Sequence, residues 1–499
     1  MYTHGIISFK GVVAMMGQQP DYQYKLFVTG FNLEKRVRKD HLLRKIQDTV
    51  DFNFIYHEVK DTYGVKGNVS VPPPVILKMM LLLILYNVRS ERELMLTIPE
   101  RLDWLYFLGY DLDDDIPHHS VLSKARARWG VQAFKSFFER IVWQCAEAGL
   151  IDGTKLFTDT SLIDADASNN SVVDTQGLKR YLIRGYRQLE CRLDDLQVPK
   201  TTPANSRHIS TTDPDASVTR HSGEKSKLRY KTHRAVDQKH EVITATKITP
   251  GSVDDGEVLK EMIETHKENT QKELDTVVAD SKYGTIDNYL ICHDLGIKAH
   301  IPSLEATQRG SGRKKGIFPR EAFTYNPDTD TFRCPAGEIL KRRHHYKHRN
   351  HYEYQASAGT CATCELRGHC TRSKTGRTVK RHARQDDLDT MLHHTKSTQA
   401  KRDIKTRQHL SERSFGRSTR YGFKRARWRR LWRVEIQDFL IAAIQNITVL
   451  ITQSKEKISK SNAQRRQAMR AQRATWEQFS FGSLLSELLN RFTMGFGLA

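Results

Sequence analysis

The sequence predicts an α/β protein: a ribonuclease H-like mixed sheet with helices on both faces, preceded by an all-helical domain and interrupted by a cysteine-bearing insertion. Three observations carry this. Apolar spacings of three and four dominate residues 31–148, strand-like runs alternate with helical periods over 149–302, and helical spacing returns over 399–452 after the basic, His- and Cys-rich stretch 303–398. Residues 1–30 are poorly patterned. The basic tail, 453–499, holds the amphipathic run Trp476, Phe479, Leu484, Leu485, Leu488 and Leu489, which reads as an interaction helix.

Within the helical part, Asp40 is placed to cap an apolar run continuing through Leu43, Ile46, Val50 and Phe54. Pro72-Pro-Pro74 then leads into Val75–Tyr86, apolar all round, as expected of a helix buried on every side. A further helix begins near Ser120 and is expected to expose Lys124, Arg126 and Arg128, either toward DNA or as a solvated face. Strands follow at Lys155–Ile163, Leu228–Val236 and Glu241–Ile248, the last two joined as a hairpin. A helix from about Asp254 to Thr265, a strand at Thr276–Ala279, a helix from Thr285 to Leu295 and a strand at Ile297–Ile301 complete the series. Three strands, a helix, a strand, a helix and a strand is the order that matches the ribonuclease H-like arrangement.

Charge narrows the partner. Lys and Arg number 80 against 58 Asp and Glu, a net charge of +22, and the pI is near 9.6. Between Lys401 and Arg433 only Asp403 and Glu412 interrupt a basic stripe, so the surplus is clustered as a polyanion-binding surface requires. No uninterrupted apolar run reaches the roughly 18 residues that span a bilayer. Seven cysteines, four of them bunched, fit a reducing compartment with a metal site better than a disulfide framework. The expected location is the cytosol, on DNA.

Three carboxylates stand out. Strand alternation sets Phe157, Asp159, Ser161 and Ile163 on one face of the first strand. Asp280 follows the Thr-Val-Val-Ala strand at its C-terminal end, and Glu412 lies eight residues after Ile404 and three before Phe415, which predicts a shared inward helix face. An ionised aspartate on a buried strand needs a cation or strong donors. In-line displacement at phosphorus needs charge neutralised on both the attacking and leaving oxygens, which two Mg²⁺ ions about 3.5–4 Å apart supply on a few carboxylates. Any one acid has a bland reading, as a turn cap or an Arg partner; the three together in this order point to metal-dependent nucleic-acid chemistry.

Asp159-Thr-Ser-Leu-Ile-Asp-Ala-Asp-Ala167, Val278-Ala-Asp280-Ser-Lys-Tyr-Gly284 and Ser411-Glu412-Arg-Ser-Phe-Gly416 resemble the three catalytic blocks of DDE transposases of the IS4/IS5 superfamily, in particular the IS1182-like group. Phe31–Leu43, Val71–Asn87, Tyr230–Asp237 and Ile243–Thr246 resemble other parts of that family, so the likeness runs through most of residues 31–450. It implies a transposase that cleaves insertion-sequence ends and transfers 3′-hydroxyls into target DNA. Asp159, Asp280 and Glu412 would then be catalytic and hold two Mg²⁺ or Mn²⁺ ions. The partners would be double-stranded DNA, as terminal inverted repeats and target, and a second copy of the chain on the DNA, with no membrane. The resemblance also selects Asp159 over Asp152 and leaves Asp164 and Asp166 structural or at the rim. Around Glu412 the Tyr, Arg and Lys offsets of IS4-type proteins are replaced by Lys405, Gln408, His409 and Thr419. Arg407, Arg413 and Arg420, with Arg126, Arg128, Lys424 and Arg425, are the candidate DNA contacts. A non-catalytic DNA-binding regulator and a stand-alone nuclease are the competing readings.

Cys361-x-x-Cys364 with Cys370, and Cys334 upstream in a Cys-Pro-x-Gly turn, has the ligand type and spacing of a structural zinc site, with His369 as a substitute. Free thiols are the plain alternative. Cys145, Cys191 and Cys292 read as packing residues.

Overall fold

The computed structural model describes residues 17, 32–174, 208–220, 223–303, 316–357 and 359–453. The expectations at residues 1–30, Cys191 and the amphipathic run near Trp476 lie outside these, except for Gly17. The chain divides into two compact units, one formed by 1–151 with 417–499 and the other by Asp152–Gly416.

The first unit is helical. Pro73–Leu85 is buried on all sides, including Lys78, whose ammonium lies 5.3 Å from the ring centres of both Phe52 and Phe107. The long helix Ser120–Glu147 bends at Gly130, whose φ of 67° suits glycine. It packs against Leu431–Gln453, with Phe138 and Phe439 at 5.8 Å between ring centres. That last helix therefore belongs with the N-terminal helices rather than with the sheet, because its apolar stripe (Val434, Leu440, Ile441, Ile444, Ile447) is spent on them. By length and composition alone, Leu431–Gln453 could cross a membrane (mean hydropathy 1.5). It also buries Gln437, Asp438 and Asn446 within the unit. The start at Asp40 is shifted by a residue: His41, not Asp40, caps the helix Leu42–Thr49, its Nδ1 accepting from the Leu43 N–H at 3.3 Å.

The second unit is built on a mixed sheet. Strands β1 (Lys155–Asp164), β2 (Val172–Asp174), β3 (His208–Ser210), β4 (Ser217–Thr219), β5 (Lys227–Val236), β6 (Ile243–Pro250), β7 (Thr276–Val278) and β8 (Lys298–His300) are followed by β9 (Thr324–Asn326), β10 (Thr331–Arg333), β11 (Ile339–Tyr346), β12 (His351–Gln355) and β13 (Thr378–His382). The main sheet runs β4-β5-β1-β7-β8, with β6 also on β5. β5 is antiparallel to β1 and β6, whereas β1, β7 and β8 are parallel, β7 and β8 being joined through the helix Ile286–Asp294. Leu156, Ala235, Val277 and Ala299 face a large core that takes in Leu259, Met262, Ile263, Leu388 and Met391 from helices Leu259–Thr270 and Gln385–Thr395. On the opposite face Phe157 and Val278 pack under Leu410 of the helix Thr398–Ser418. The sheet is thus covered on both sides.

The insertion is itself a folded sheet, an up-and-down β9-β10-β11-β12-β13 meander over a core of Phe323, Phe332, Leu340, Tyr354 and Val379.

Candidate active site

β1 and β7 are parallel neighbours in a register that pairs Phe157 with Val278. Extended by two residues, that register sets Asp159 level with Asp280, on strands about 4.8 Å apart. By side-chain alternation both acids share the face of Phe157 and Val278. They are held by local geometry as well. Asp159 accepts from the Thr160 N–H at 2.9 Å, and Asp280 accepts from the Lys282 N–H at 2.9 Å, capping the short turn Ser281–Tyr283. Burial, and next the negative charge of Asp159, push the Asp280 carboxyl above its ordinary range.

A buried polar network braces the reverse face. The Thr160 hydroxyl lies 2.7 Å from Tyr283 Oη and 3.1 Å from His233 Nδ1, and His233 Nε2 lies 2.9 Å from the Thr249 hydroxyl. Asp237 fixes the entry to β1, accepting from the backbone N–H groups of Asp152 (3.1 Å) and Gly153 (2.8 Å). Asp152 therefore sits at a turn before the strand. Asp164, at the far end of β1, is paired with Lys227 (3.1 Å) and Arg229 (2.8 Å).

The helix Thr398–Ser418 closes over this face through Asp403, Arg407, Leu410, Ser411 and Ser414, all buried at three- and four-residue spacing. Asp403 anchors it, bonded to Lys155 Nζ at 3.1 Å and His300 Nδ1 at 2.8 Å. One turn on, Arg407 reaches Asp159, its guanidinium 2.6 Å from the carboxylate and only 8% exposed. Glu412, five residues beyond Arg407, lies well off this stripe and is exposed. The inward face predicted from Ile404 and Phe415 is thus corrected: those two are half-buried flanks, and the stripe centre is occupied by Arg407 and Leu410. Among the described residues, no group of three or more His, Cys, Asp or Glu is drawn together tightly enough to hold a metal ion.

The predicted DNA contacts divide. Arg128, Arg413, Arg420, Lys424 and Arg425 are exposed, Arg413 meeting Glu241 at 2.8 Å. Arg126 is not: it is 3% exposed, ion-paired to Glu91 and stacked 4.0 Å over the Trp428 ring. Its guanidinium serves the helical core, so the expectation of an outward Arg126 is withdrawn. Arg407 is likewise turned inward. Arg234, unremarked in the sequence, is the cross-strand partner of Asp159 on β5, fully buried with its guanidinium 5.2 Å from the Phe415 ring. Lys227, Arg229, Lys231 and His233 share its strand, so nothing in the local composition set Arg234 apart.

Cys334, Cys361, Cys364 and Cys370 line one cavity in the insertion, beside Phe318 and Arg377. Burial raises the Cys370 thiol, and the other three cysteines add to the shift. Cys145 and Cys292 are buried packing residues.

Two family models match the chain: a transposase domain (DUF772) over residues 31–128 and a transposase DDE domain over residues 333–451. No curated protein and no solved structure matches it. These two matches indicate a transposase of the DDE type. Within that class they indicate an insertion-sequence protein of the IS1182-like kind. Glu412 falls inside the second match, and Asp159 and Asp280 fall outside both.

Proposed function

We propose that this transposase cleaves DNA at the ends of its insertion sequence and joins the freed 3′-hydroxyl to target DNA, with Asp159, Asp280 and Glu412 as its carboxylates on a ribonuclease H-like core. The observation that carries this is the nearness of Asp159 and Asp280, just past the paired stretch of β1 and β7, where the charge of Asp159 raises the Asp280 carboxyl. The strand order, with one antiparallel and one parallel neighbour on either side of β1, supports the ribonuclease H-like reading.

The donor set suits a hard divalent cation. Two carboxylates crowd one face, Asp280 has its carboxyl raised by burial and by Asp159, and an arginine already balances Asp159. Asp159 and Asp280 would hold the metal from the sheet, and Glu412 would join from the helix after a local turn of that segment. When bound, Mg²⁺ supplies charge neutralisation at the attacking and leaving oxygens. The chain's own part is positional. The Thr160–Tyr283–His233 network keeps β1 and the turn after β7 rigid, so the two carboxylates hold their spacing. Arg407, released from Asp159, would face the phosphate as a fixed cation.

Purified protein with Mg²⁺ should nick duplexes carrying the element ends. Asp159→Ala, Asp280→Ala and Glu412→Ala should each abolish nicking while binding persists. Nicking that survives all three changes defeats the reading. A binding-only regulator is favoured by one observation, the exposed Glu412, and predicts no metal-dependent cleavage in the unaltered protein. A joining assay separates a transposase from a stand-alone nuclease.

A further inference from the structure

The tip of the insertion sheet carries a run of one-sided charge. From Lys341 to Arg349 every residue but Tyr346 is Lys, Arg or His, and none is acidic. These residues form the outer half of β11 and the turn into β12, which closes at Asn350 with φ of 44°. β10 covers only the start of β11, pairing with Ile339, Leu340 and Lys341, so residues 342–346 form a free edge. Arg342 is balanced by Asp330 at 3.2 Å, and Arg343 is tied to Gln355 at 2.8 Å. Among the described residues, no ion pair involves Lys341, Lys347, Arg349 or Lys380.

Edge strands often carry charge simply to block sheet-to-sheet pairing. That alone needs one or two lysines, not a braced cluster. Here the rings stack on each other across the strands: His345 on Tyr352 at 4.4 Å, Tyr346 on His351 at 4.8 Å, with His344 against Tyr346 at 4.3 Å. Lys380 of β13 rests 5.6 Å from the Tyr346 ring. The cations therefore stand along a braced three-stranded platform, Lys347 and Arg349 at its outer end and Lys341 nearer its base, with a mutual repulsion that a polyanion would relieve. Because the aromatic faces are already engaged, the platform offers little to unstacked bases. It offers charge at fixed positions, which suits the regularly spaced phosphates of a duplex.

We propose that this tip, through Lys341, Lys347, Arg349 and Lys380, binds the sugar–phosphate backbone of double-stranded DNA without regard to sequence. The inference rests on DNA as the partner in the proposed function, but not on the carboxylates. Its test is fluorescence anisotropy of the full chain in EDTA, titrated over a range of salt concentrations. The probes are a duplex with an element end, an unrelated duplex and the matching single strand. The Lys341→Ala/Lys347→Ala/Arg349→Ala variant should bind both duplexes at least about tenfold more weakly at moderate salt. Its log–log salt slope should fall by about 0.9 per lost phosphate contact. Lys347→Arg/Arg349→Lys should keep both values, and Lys347→Glu alone should reproduce the loss in part. An unchanged slope in the triple variant overturns the proposal, as does a loss confined to one duplex or to the single strand. Binding is read without metal and nicking with it, so a failed nicking assay and a failed salt titration count against different claims.

Discussion

The Arg407 guanidinium lies 2.6 Å from the Asp159 carboxylate, beneath a helix whose one exposed acid is Glu412. Arg407 thereby occupies the electrostatic role that a divalent cation would take at Asp159, and the two should compete. Arg407→Ala is expected to bind Mn²⁺ more tightly by calorimetry, while its metal-free form loses about 1–3 kcal/mol of stability because Asp159 is left without its partner. Weaker Mn²⁺ binding in this variant would show that Arg407 supports the metal site instead.

Lys78 gives a pH signature far from the sheet. Burial pushes its amine down to about 8 from an ordinary 10.5. The folded chain therefore disfavours the charged form that the unfolded chain retains. This penalty is complete below pH 8 and disappears as pH rises toward 10.5. Lys78→Met should stabilise the protein by about 3 kcal/mol near pH 7, with the gap closing in alkaline urea titrations. A gap independent of pH would assign the gain to packing alone.

Arg126 and Arg128 should behave differently despite their similar sequence setting. Truncating the buried Arg126 strands Glu91 and removes the cover from Trp428, so Arg126→Ala should cost about 3–5 kcal/mol in chemical denaturation. Arg128 is exposed over the Tyr63 ring at 4.7 Å, and Arg128→Ala should change stability by less than about 1 kcal/mol. Equal effects from the two would contradict the burial difference.

The four cysteines of the insertion are proposed to take up one Zn²⁺ by closing around their shared cavity. Metal analysis of the purified chain should find one zinc per chain, lost in Cys361→Ser or Cys364→Ser and kept in Cys292→Ser. A chain free of zinc when prepared with zinc present, yet fully folded, would leave the cysteines as packing residues.

The sheet was legible because its signals are local. Each of the strands at Lys155, Leu228, Glu241, Thr276 and Ile297 is a short apolar run with a turn or cap beside it, and the structure holds a strand at each place. The parallel pairing of the two aspartate-bearing runs was not legible, because it joins segments more than a hundred residues apart. The helix over them was harder. Ile404 and Phe415 look like the inward stripe by hydropathy, but the true stripe carries Asp403 and Arg407, charged residues buried because each meets a partner on the sheet. Tertiary pairing overruled apolarity there. Arg126 failed to be read for the same reason, since Glu91 and Trp428 lie far from it in sequence. The meander of the insertion was hidden by its composition: β11 is almost all basic, and only Leu340 of that strand is fully buried.

The helical unit is stitched from both ends of the described chain, and this bears on how it is made. Ser120–Glu147 leaves the ribosome long before Leu431–Gln453 exists, so Phe138 and Cys145 emerge without the surface that later covers them. Synthesis that halts anywhere in the sheet would leave that apolar seam open. Interrupted messages should thus yield products prone to clump or be degraded, rather than a free-standing helical fragment able to compete with the finished protein.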